Sequence, residues 1–368
     1  MFFRLRGVSL VDIGLLNLIA LPYTFKFLWA PVLDRFGTRR QWIITCQVGI
    51  GLLILLFALL DPTAISPIVW VVLLTVAALS ATQDVAVDAY VIELLGEKEY
   101  GPANGARVAA YRVAMIVAGG LLLALATPLG WPTVFAIGGG CMLLLALVSL
   151  TVPSVPRADI AREPIWQPVR ELLQLPAAWA IGLFVLTFKL GDQALLPMIR
   201  PFWVDNGYTP QQIGFVLVTI GMGATIAGAV VGGALTSKMG TFRALWVLGL
   251  VQALSNLAYY VAAVGGAPPS LLYSAAVIEQ FTGGMGTAAF LTFLMALCDR
   301  RYAATQYALL SALFRVGAIT AATISGFATV RLGYATYFLL TFGLALPAFA
   351  LLPFVSRARL RAGVRVTE

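Results

Sequence analysis

The sequence predicts an all-α, polytopic membrane protein. Of the 368 residues, 60% are hydrophobic and only 11% are charged, and the mean hydropathy is +0.92. Soluble domains carry roughly 25% charged residues, so this composition argues against a soluble fold. Apolar segments of about 20 residues, the length that crosses a bilayer as a helix, recur along the whole chain. The alternating pattern of about ten residues that is typical of a membrane β-barrel strand does not occur.

We predict eleven membrane spans, each placed on one of these apolar segments. Several exceed the length that a bilayer requires, so they are expected to tilt or to project from it. The predicted spans are residues 9–33, 42–60, 67–93, 105–127, 132–152, 176–198, 210–236, 243–264, 270–297, 304–328 and 333–355. They form a first transmembrane bundle (1–152), a central loop (153–175), a second bundle of six helices (176–355) and a basic tail (356–368).

The connections between spans alternate in basic content. Those on one face collect 16 Lys and Arg residues, and those on the other face collect 4. Because basic loops stay in the cytoplasm, the rich face and the C-terminus are predicted to be cytoplasmic. This distribution accounts for the net charge of +8 better than a nucleic-acid partner does, so the predicted partner of the basic surface is the lipid bilayer.

The most informative stretch is Ala81–Tyr90, ATQDVAVDAY, near the C-terminal end of the span 67–93. Asp84 and Asp88 are four residues apart, so both project from nearly the same face of a helix. Charged side chains inside a membrane are costly and persist mainly where they face a polar interior and carry function. We therefore predict that Asp84 is the leading proton-coupling residue and that Asp88 is the second.

Other ionisable side chains also lie inside predicted spans. A helical rise of about 1.5 Å per residue places Lys26 and Arg112 at a depth similar to that of the two aspartates. The same estimate places Lys189 and Glu279 together in a second layer, and Lys189 can pair with Asp192 at i, i+3. The alternative is that these are structural ion pairs that fix helix packing. The predicted substrate-binding residues are Lys26, Gln83, Arg112, Lys189, Asp192 and Glu279.

The two halves of the chain resemble each other at an offset of 200 to 203 residues. For example, Asp34–Arg40 (DRFGTRR) parallels Ser237–Arg243 (SKMGTFR). A fixed long offset predicts two parallel helical bundles. Since span 176–198 has no counterpart in the first half, we expect a further helix upstream of Met1, with five spans here in the first bundle and six in the second. The alternative is a genuine eleven-span protein.

Glycines are unusually frequent in span 210–236. Small residues at near-helical spacing allow two helices to approach closely in a membrane. The sequence therefore predicts close helix contacts at Gly221, Gly223, Gly228, Gly232 and Gly233.

The loop Asp34–Arg40 resembles the short loop between helices two and three of the major facilitator superfamily. Three stretches resemble, more narrowly, the AmpG-type muropeptide permeases: Pro22–Phe36 (PYTFKFLWAPVLDRF), Ala81–Tyr90 and Phe188–Asp192 (FKLGD). The resemblance covers nearly the whole chain and implies the fold of that superfamily, two pseudo-symmetric helical bundles. In the loop, it implies an acid that clamps neighbouring helix ends, a glycine turn and bases that face the cytoplasm. The corresponding residues are Asp34, Arg35, Gly37, Arg39 and Arg40.

The resemblance also implies a function. It is the import of anhydro-muropeptides, which are peptidoglycan fragments, through the bacterial inner membrane for cell-wall recycling and β-lactamase induction. The proton gradient would drive this import by alternating access, without a cofactor, and the protein is predicted to be a monomer. Because acetyl-CoA transporters are more distant relatives with similar motifs, a carrier of acyl-CoA, nucleotides or drug-like molecules is an alternative. A sensor that does not transport is another.

An enzyme is not predicted. The chain contains no HExxH, GxSxG or phosphate-loop motif, and all the loops predicted to be cytoplasmic are short. It also contains no His, which excludes His-dependent triads and zinc sites with His ligands, so no metal site is predicted.

Overall fold

A computed structural model of the chain describes residues 21–59, 67–156 and 163–361, and every regular element in these ranges is a helix. Eight of the described helices are long and apolar enough to cross a membrane, which agrees with the predicted all-α membrane fold. In chain order, the α-helices are α1 (Leu21–Phe25), α2 (Ala30–Arg35), α3 (Arg39–Leu59), α4 (Pro67–Leu94), α5 (Tyr100–Ile116), α6 (Leu122–Leu129), α7 (Trp131–Ser149), α8 (Gln167–Gln174), α9 (Ala178–Thr187), α10 (Leu190–Asp205), α11 (Pro210–Ile213), α12 (Gly221–Met239), α13 (Thr241–Val264), α14 (Pro269–Leu297) and α15 (Ala303–Arg361).

The predicted spans coincide with helices whose ends differ by a few residues. The first predicted span, 9–33, is an exception, because its residues 9–20 lie outside the described ranges. The last two predicted spans fall on α15, which is broken at Gly333, where φ is 73° and ψ is 160°. Glycine adopts this conformation without the steric cost that a β-carbon would add, so it separates the two spans.

The described residues form two compact units, and each unit contains segments from both halves of the sequence. Those of the first unit fall within Met1–Leu94, Val113–Ile165 and Cys298–Ala312. Those of the second fall within Leu95–Arg112, Trp166–Leu297 and Leu313–Glu368. The predicted division at residues 152, 175 and 355 stays a prediction about the order of the chain. The packing itself exchanges two short segments relative to that division.

In the first unit, α3 packs against α4 and α7. The contact with α7 is closest at two glycines. A β-carbon on Gly51 would lie 3.1 Å from the carbonyl oxygen of Gly139, and one on Gly139 would lie 2.9 Å from that of Gly51. Phe57, Val69 and Val72 form a small buried apolar cluster in the same unit.

In the second unit, α14 packs against both α12 and α13. A β-carbon on Gly228 of α12 would overlap the carbonyl oxygen of Phe281, and one on Gly232 would overlap the main chain of Met285. Gly233 makes a similarly close approach to Gly101 of α5. The predicted close contacts at Gly228, Gly232 and Gly233 are therefore confirmed. The prediction for Gly223 is wrong, since nothing lies within 4 Å of a β-carbon placed there.

Replacing Gly228 by alanine is expected to destabilise the protein by about 1–3 kcal/mol, because the added methyl group meets main-chain atoms that cannot move aside. Gly223→Ala on the same helix is the matched control. Its methyl group enters open space, and alanine favours a helix by about 1 kcal/mol over glycine. Thermal unfolding of both variants in detergent micelles checks the expectation, and equal melting temperatures would contradict it.

Candidate functional site

Two buried lysines lie where membrane helices are interrupted. Lys26 begins a 3₁₀ turn, Lys26–Leu28, between α1 and α2. Lys189 lies between α9 and α10, with φ of −101° and ψ of 7°. Their exposed fractions are only 4% and 5%. Because irregular backbone at membrane depth is tolerated only where it is buried in protein or lines a cavity, the two interruptions mark where polar groups gather.

The first polar cluster joins Lys26 to the two predicted aspartates. Lys26 Nζ lies 2.5 Å from Asp84 Oδ2 and 3.9 Å from Asp88 Oδ2. The predicted shared face of α4 is therefore confirmed. The two carboxylates differ in access, since the side chain of Asp84 is 43% exposed and that of Asp88 only 4%. Gln83 is half-buried beside them and takes no part in these ion pairs.

Two hydrogen bonds hold the interrupted segment against α4. The hydroxyl of Tyr23 donates to Ser80 Oγ at 2.6 Å, and Trp29 Nε1 donates to Thr82 Oγ1 at 3.0 Å. These bonds lie on either side of Lys26 in the sequence. They hold the backbone from which Lys26 projects against α4, the helix that carries both aspartates.

The second polar cluster is centred on Lys189. Its Nζ lies 3.2 Å from Asp192 Oδ2, which confirms the predicted i, i+3 pair. The same nitrogen donates to Gln252 Oε1 at 2.7 Å and to the carbonyl oxygen of Gly283 at 3.5 Å. The amide nitrogen of Gln252 also donates to Asp192 Oδ2, which closes a ring of three side chains. Each lies 7% or less exposed, so the network is enclosed by protein.

A cavity of about 130 Å³ adjoins this network and is lined by Arg112, Lys189, Asp192 and Glu279. Lys189 and Glu279 therefore share a layer, as predicted. The predicted position of Arg112 is wrong, because its estimated depth along the helix grouped it with Lys26. A helical rise gives only the depth of a residue, whereas the packing of α5 against α12 through Gly105 decides that Arg112 lines this cavity in the second unit.

The loop after α2 is organised by Asp34, which is 2% exposed. Its carboxylate accepts hydrogen bonds from the main-chain N–H groups of Ala304 at 3.1 Å and Thr305 at 2.9 Å, in the first turn of α15. A carboxylate there satisfies unpaired N–H groups and complements the helix dipole. Arg39 bonds Asp34 at 2.6 Å and Glu93 at 2.6 Å. Arg39 is thus buried in an ion-pair network, which corrects the expectation that it faces the cytoplasm.

The remaining residues of the loop make main-chain contacts. Gly37 has φ of 65°, and Gly240 at the equivalent position of the repeat has φ of 80°. Both values lie in the region that favours glycine, so the repeated loop has a common turn. Arg35 donates to the carbonyl oxygen of Glu163 at 2.5 Å, and Arg40 donates to that of Val152 at 3.1 Å.

Two polar residues of α13 were not among the predicted site residues. Gln252 and Asn256 are four residues apart in an apolar span, and they are only 4% and 0% exposed. Gln252 bridges Lys189 and Asp192, and Asn256 lies one turn further along the same helix. Their i, i+4 spacing is the signal that identified Asp84 and Asp88. Applied to amides as well as carboxylates, it would have found them.

The two clusters are suited to binding and releasing charge. In each, a buried lysine is held by a carboxylate, and such a pair opens only if a proton or another charged group replaces the lost partner. Within the described ranges, no group of three or more His, Cys, Asp or Glu side chains is placed to hold a metal ion. The arrangement therefore favours reversible binding of a proton or a charged solute.

The chain is similar in sequence and in fold to known membrane transport proteins. Residues 6–314 match the family described as Major Facilitator Superfamily. The chain is 32% identical to the anhydromuropeptide permease of Escherichia coli (strain K12) over 360 residues, or 94% of this chain and 73% of that protein. It is 29% identical over 375 residues to the putative transporter AmpG 4 of Rickettsia felis, with 95% and 89% covered. The solved structure of the proton:xylose symporter XylE has a similar fold, with a TM-score of 0.71 at 13% identity, covering 99% of this chain and 89% of that one.

The apolar helices and the family matches define a multi-pass membrane transporter. The chain belongs to the major facilitator superfamily and, within it, to the family of the anhydromuropeptide permease. The fold class and the family resemblance predicted from the sequence motifs are thereby confirmed.

Proposed function

We propose that this protein imports anhydro-muropeptides across the bacterial inner membrane, that the proton gradient drives this import, and that the protein is not an enzyme. The observation that carries the proposal is the 32% identity, over 94% of the chain, to a permease named for that substrate. The two buried charge clusters support it, since a carrier of a polar, charged solute needs polar groups inside its apolar helices.

In this proposal, Asp84 and Asp88 couple import to the proton. Asp84 is the closer partner of Lys26 and the more exposed carboxylate, so a proton can reach it. Protonation removes the charge that binds Lys26 at 2.5 Å and leaves Asp88 as the counter-charge of the lysine. The pair then opens without exposing an unpaired buried ion, which would cost several kcal/mol.

The cavity of the second unit supplies part of the substrate site in this proposal. Arg112 provides positive charge for a carboxylate of a muropeptide and Glu279 provides an acceptor, while Lys189 and Asp192 line the same cavity as predicted substrate-binding residues. Gln83 stays a predicted contact for hydroxyl groups. At about 130 Å³, the cavity is smaller than the roughly 300–1,000 Å³ of typical ligand pockets, so it takes only a portion of such a molecule.

The proposal also includes orientation and motion. The basic loops and the C-terminus face the cytoplasm, as the distribution of Lys and Arg predicts. Asp34 joins the loop after α2 to the first turn of α15, which lies in the other half of the sequence. Both ends of this connection lie in the first unit. The motion that we propose for transport is alternating access.

Uptake into proteoliposomes tests the proposal. We expect labelled anhydro-muropeptide to accumulate when the interior is alkaline, and we expect a protonophore to abolish the accumulation. Labelled acetyl-CoA, tested in parallel, should not accumulate. Uptake of acetyl-CoA without muropeptide would contradict the substrate, and muropeptide accumulation that persists with the protonophore would contradict the coupling.

A further inference from the structure

The cavity beside Lys189 carries opposite charges in a small volume. Its volume of about 130 Å³ is below the roughly 300–1,000 Å³ of typical ligand pockets, so it suits a compact group. Arg112 and Glu279 line it, and its other polar groups include the amides of Gln193 and Gln280 and the hydroxyl of Thr287. A compact group with both a positive and a negative charge matches this lining in size and in charge.

Glu279 is a buried acid with one carboxylate oxygen that could accept a hydrogen bond from a ligand. It is 5% exposed, and its Oε2 atom has no hydrogen-bond partner among the residues that the structure describes. A buried carboxylate oxygen without a donor is unfavourable by several kcal/mol, so a donor that enters the cavity would bind there strongly. An ammonium group is the donor that also balances the charge of the carboxylate.

The N–H donors of Lys189 are directed at groups other than Glu279. An ammonium group has three N–H donors. Those of Lys189 point to Asp192 at 3.2 Å, to Gln252 at 2.7 Å and to the carbonyl of Gly283 at 3.5 Å. The lysine is therefore committed to the ring of side chains described above and not to Glu279.

Arg112 is the group in the cavity that can bind the negative charge of a ligand. A guanidinium group has five N–H donors in a planar fork, so it can bind a ligand carboxylate while it keeps other contacts. It lines the same cavity as Glu279. The two side chains together offer one site for an ammonium group and one for a carboxylate.

We propose that this cavity binds a free amino-acid head group, with its ammonium on Glu279 and its carboxylate on Arg112. The inference rests on the proposed function, because in a muropeptide such a head group occurs on the peptide stem and not on the sugars. The cavity would then bind that head group of the stem, and the sugar rings would bind elsewhere.

Three ligands test the inference on the purified protein by isothermal titration calorimetry. The first is an anhydro-muropeptide whose stem carries a free amino-acid head group, the second has that amine acetylated, and the third has that carboxylate amidated. Loss of a charged hydrogen bond is worth about 1.5–3 kcal/mol, so the parent should bind the second and third at least about tenfold more weakly. Glu279→Gln should bind the first and second alike, and Arg112→Gln the first and third alike.

Glu97→Gln is the matched control, since Glu97 is an exposed acid of the same unit and should leave the ligand ranking of the parent unchanged. If Glu279→Gln fails to fold, the ranking by the parent decides alone. Equal affinity of the parent for all three ligands would overturn the inference and leave the proposed function intact. A pH dependence that requires Glu279, combined with that equal affinity, would assign a proton to it instead. No binding of any ligand would overturn both proposals.

Discussion

Lys189→Met is expected to destabilise the protein by about 3–5 kcal/mol, because it removes one partner of a buried ion pair and leaves the other without a counter-charge. The residue left without a counter-charge is Asp192, which is 7% exposed and lies 3.2 Å from the lysine nitrogen. Gln252 also loses the donor to its Oε1 atom. The melting temperature in detergent micelles, with and without Asp192→Asn, measures the loss and its recovery.

The second substitution should restore most of the stability, since replacing both members of a buried pair by uncharged groups is often neutral. Arg301→Met is the matched control. Arg301 pairs with Asp299 at 2.8 Å, but their side chains are 46% and 35% exposed, and such surface pairs contribute little. A melting temperature of Lys189→Met equal to that of Arg301→Met would contradict the expectation.

The sequence was sufficient for what depends on spacing along one helix. Asp84 and Asp88 share a face, and Lys189 pairs with Asp192, because both relations follow from the periodicity of a single element. The same holds for the turn at Gly37 and Gly240, which the repeated loop predicts. In each case the geometry follows from a single element and needs no information about tertiary contacts.

The sequence could not predict which helices pack against each other. Arg112 was predicted to lie with Lys26 but lines the cavity beside Lys189, because a rise per residue contains no information about which helices pack together. The burial of Arg39 has the same origin, since it depends on Glu93 of α4. Gln252 and Asn256 were not predicted because their amides carry no charge that stands out in an apolar span, and only the packing of α13 places Gln252 beside Asp192.

Asp84→Asn is expected to abolish accumulation driven by the proton gradient while exchange of substrate across the membrane continues. The asparagine cannot carry the proton, yet it can still accept a hydrogen bond from Lys26, whose second carboxylate, Asp88, remains 3.9 Å away. The fold should therefore tolerate the change. Accumulation and counterflow in proteoliposomes, measured at equal amounts of reconstituted protein, separate the two activities.

Asp88→Asn should behave differently, because Asp88 is only 4% exposed and would leave the buried Lys26 dependent on a half-exposed partner. We expect this variant to lose both stability and exchange, since the lysine is then paired only while Asp84 stays ionised. Asp205→Asn is the matched control, as Asp205 is exposed at the end of α10 and should leave both activities unchanged. Gradient-driven accumulation by Asp84→Asn at the rate of this control would remove Asp84 from the coupling mechanism, whatever the result for Asp88.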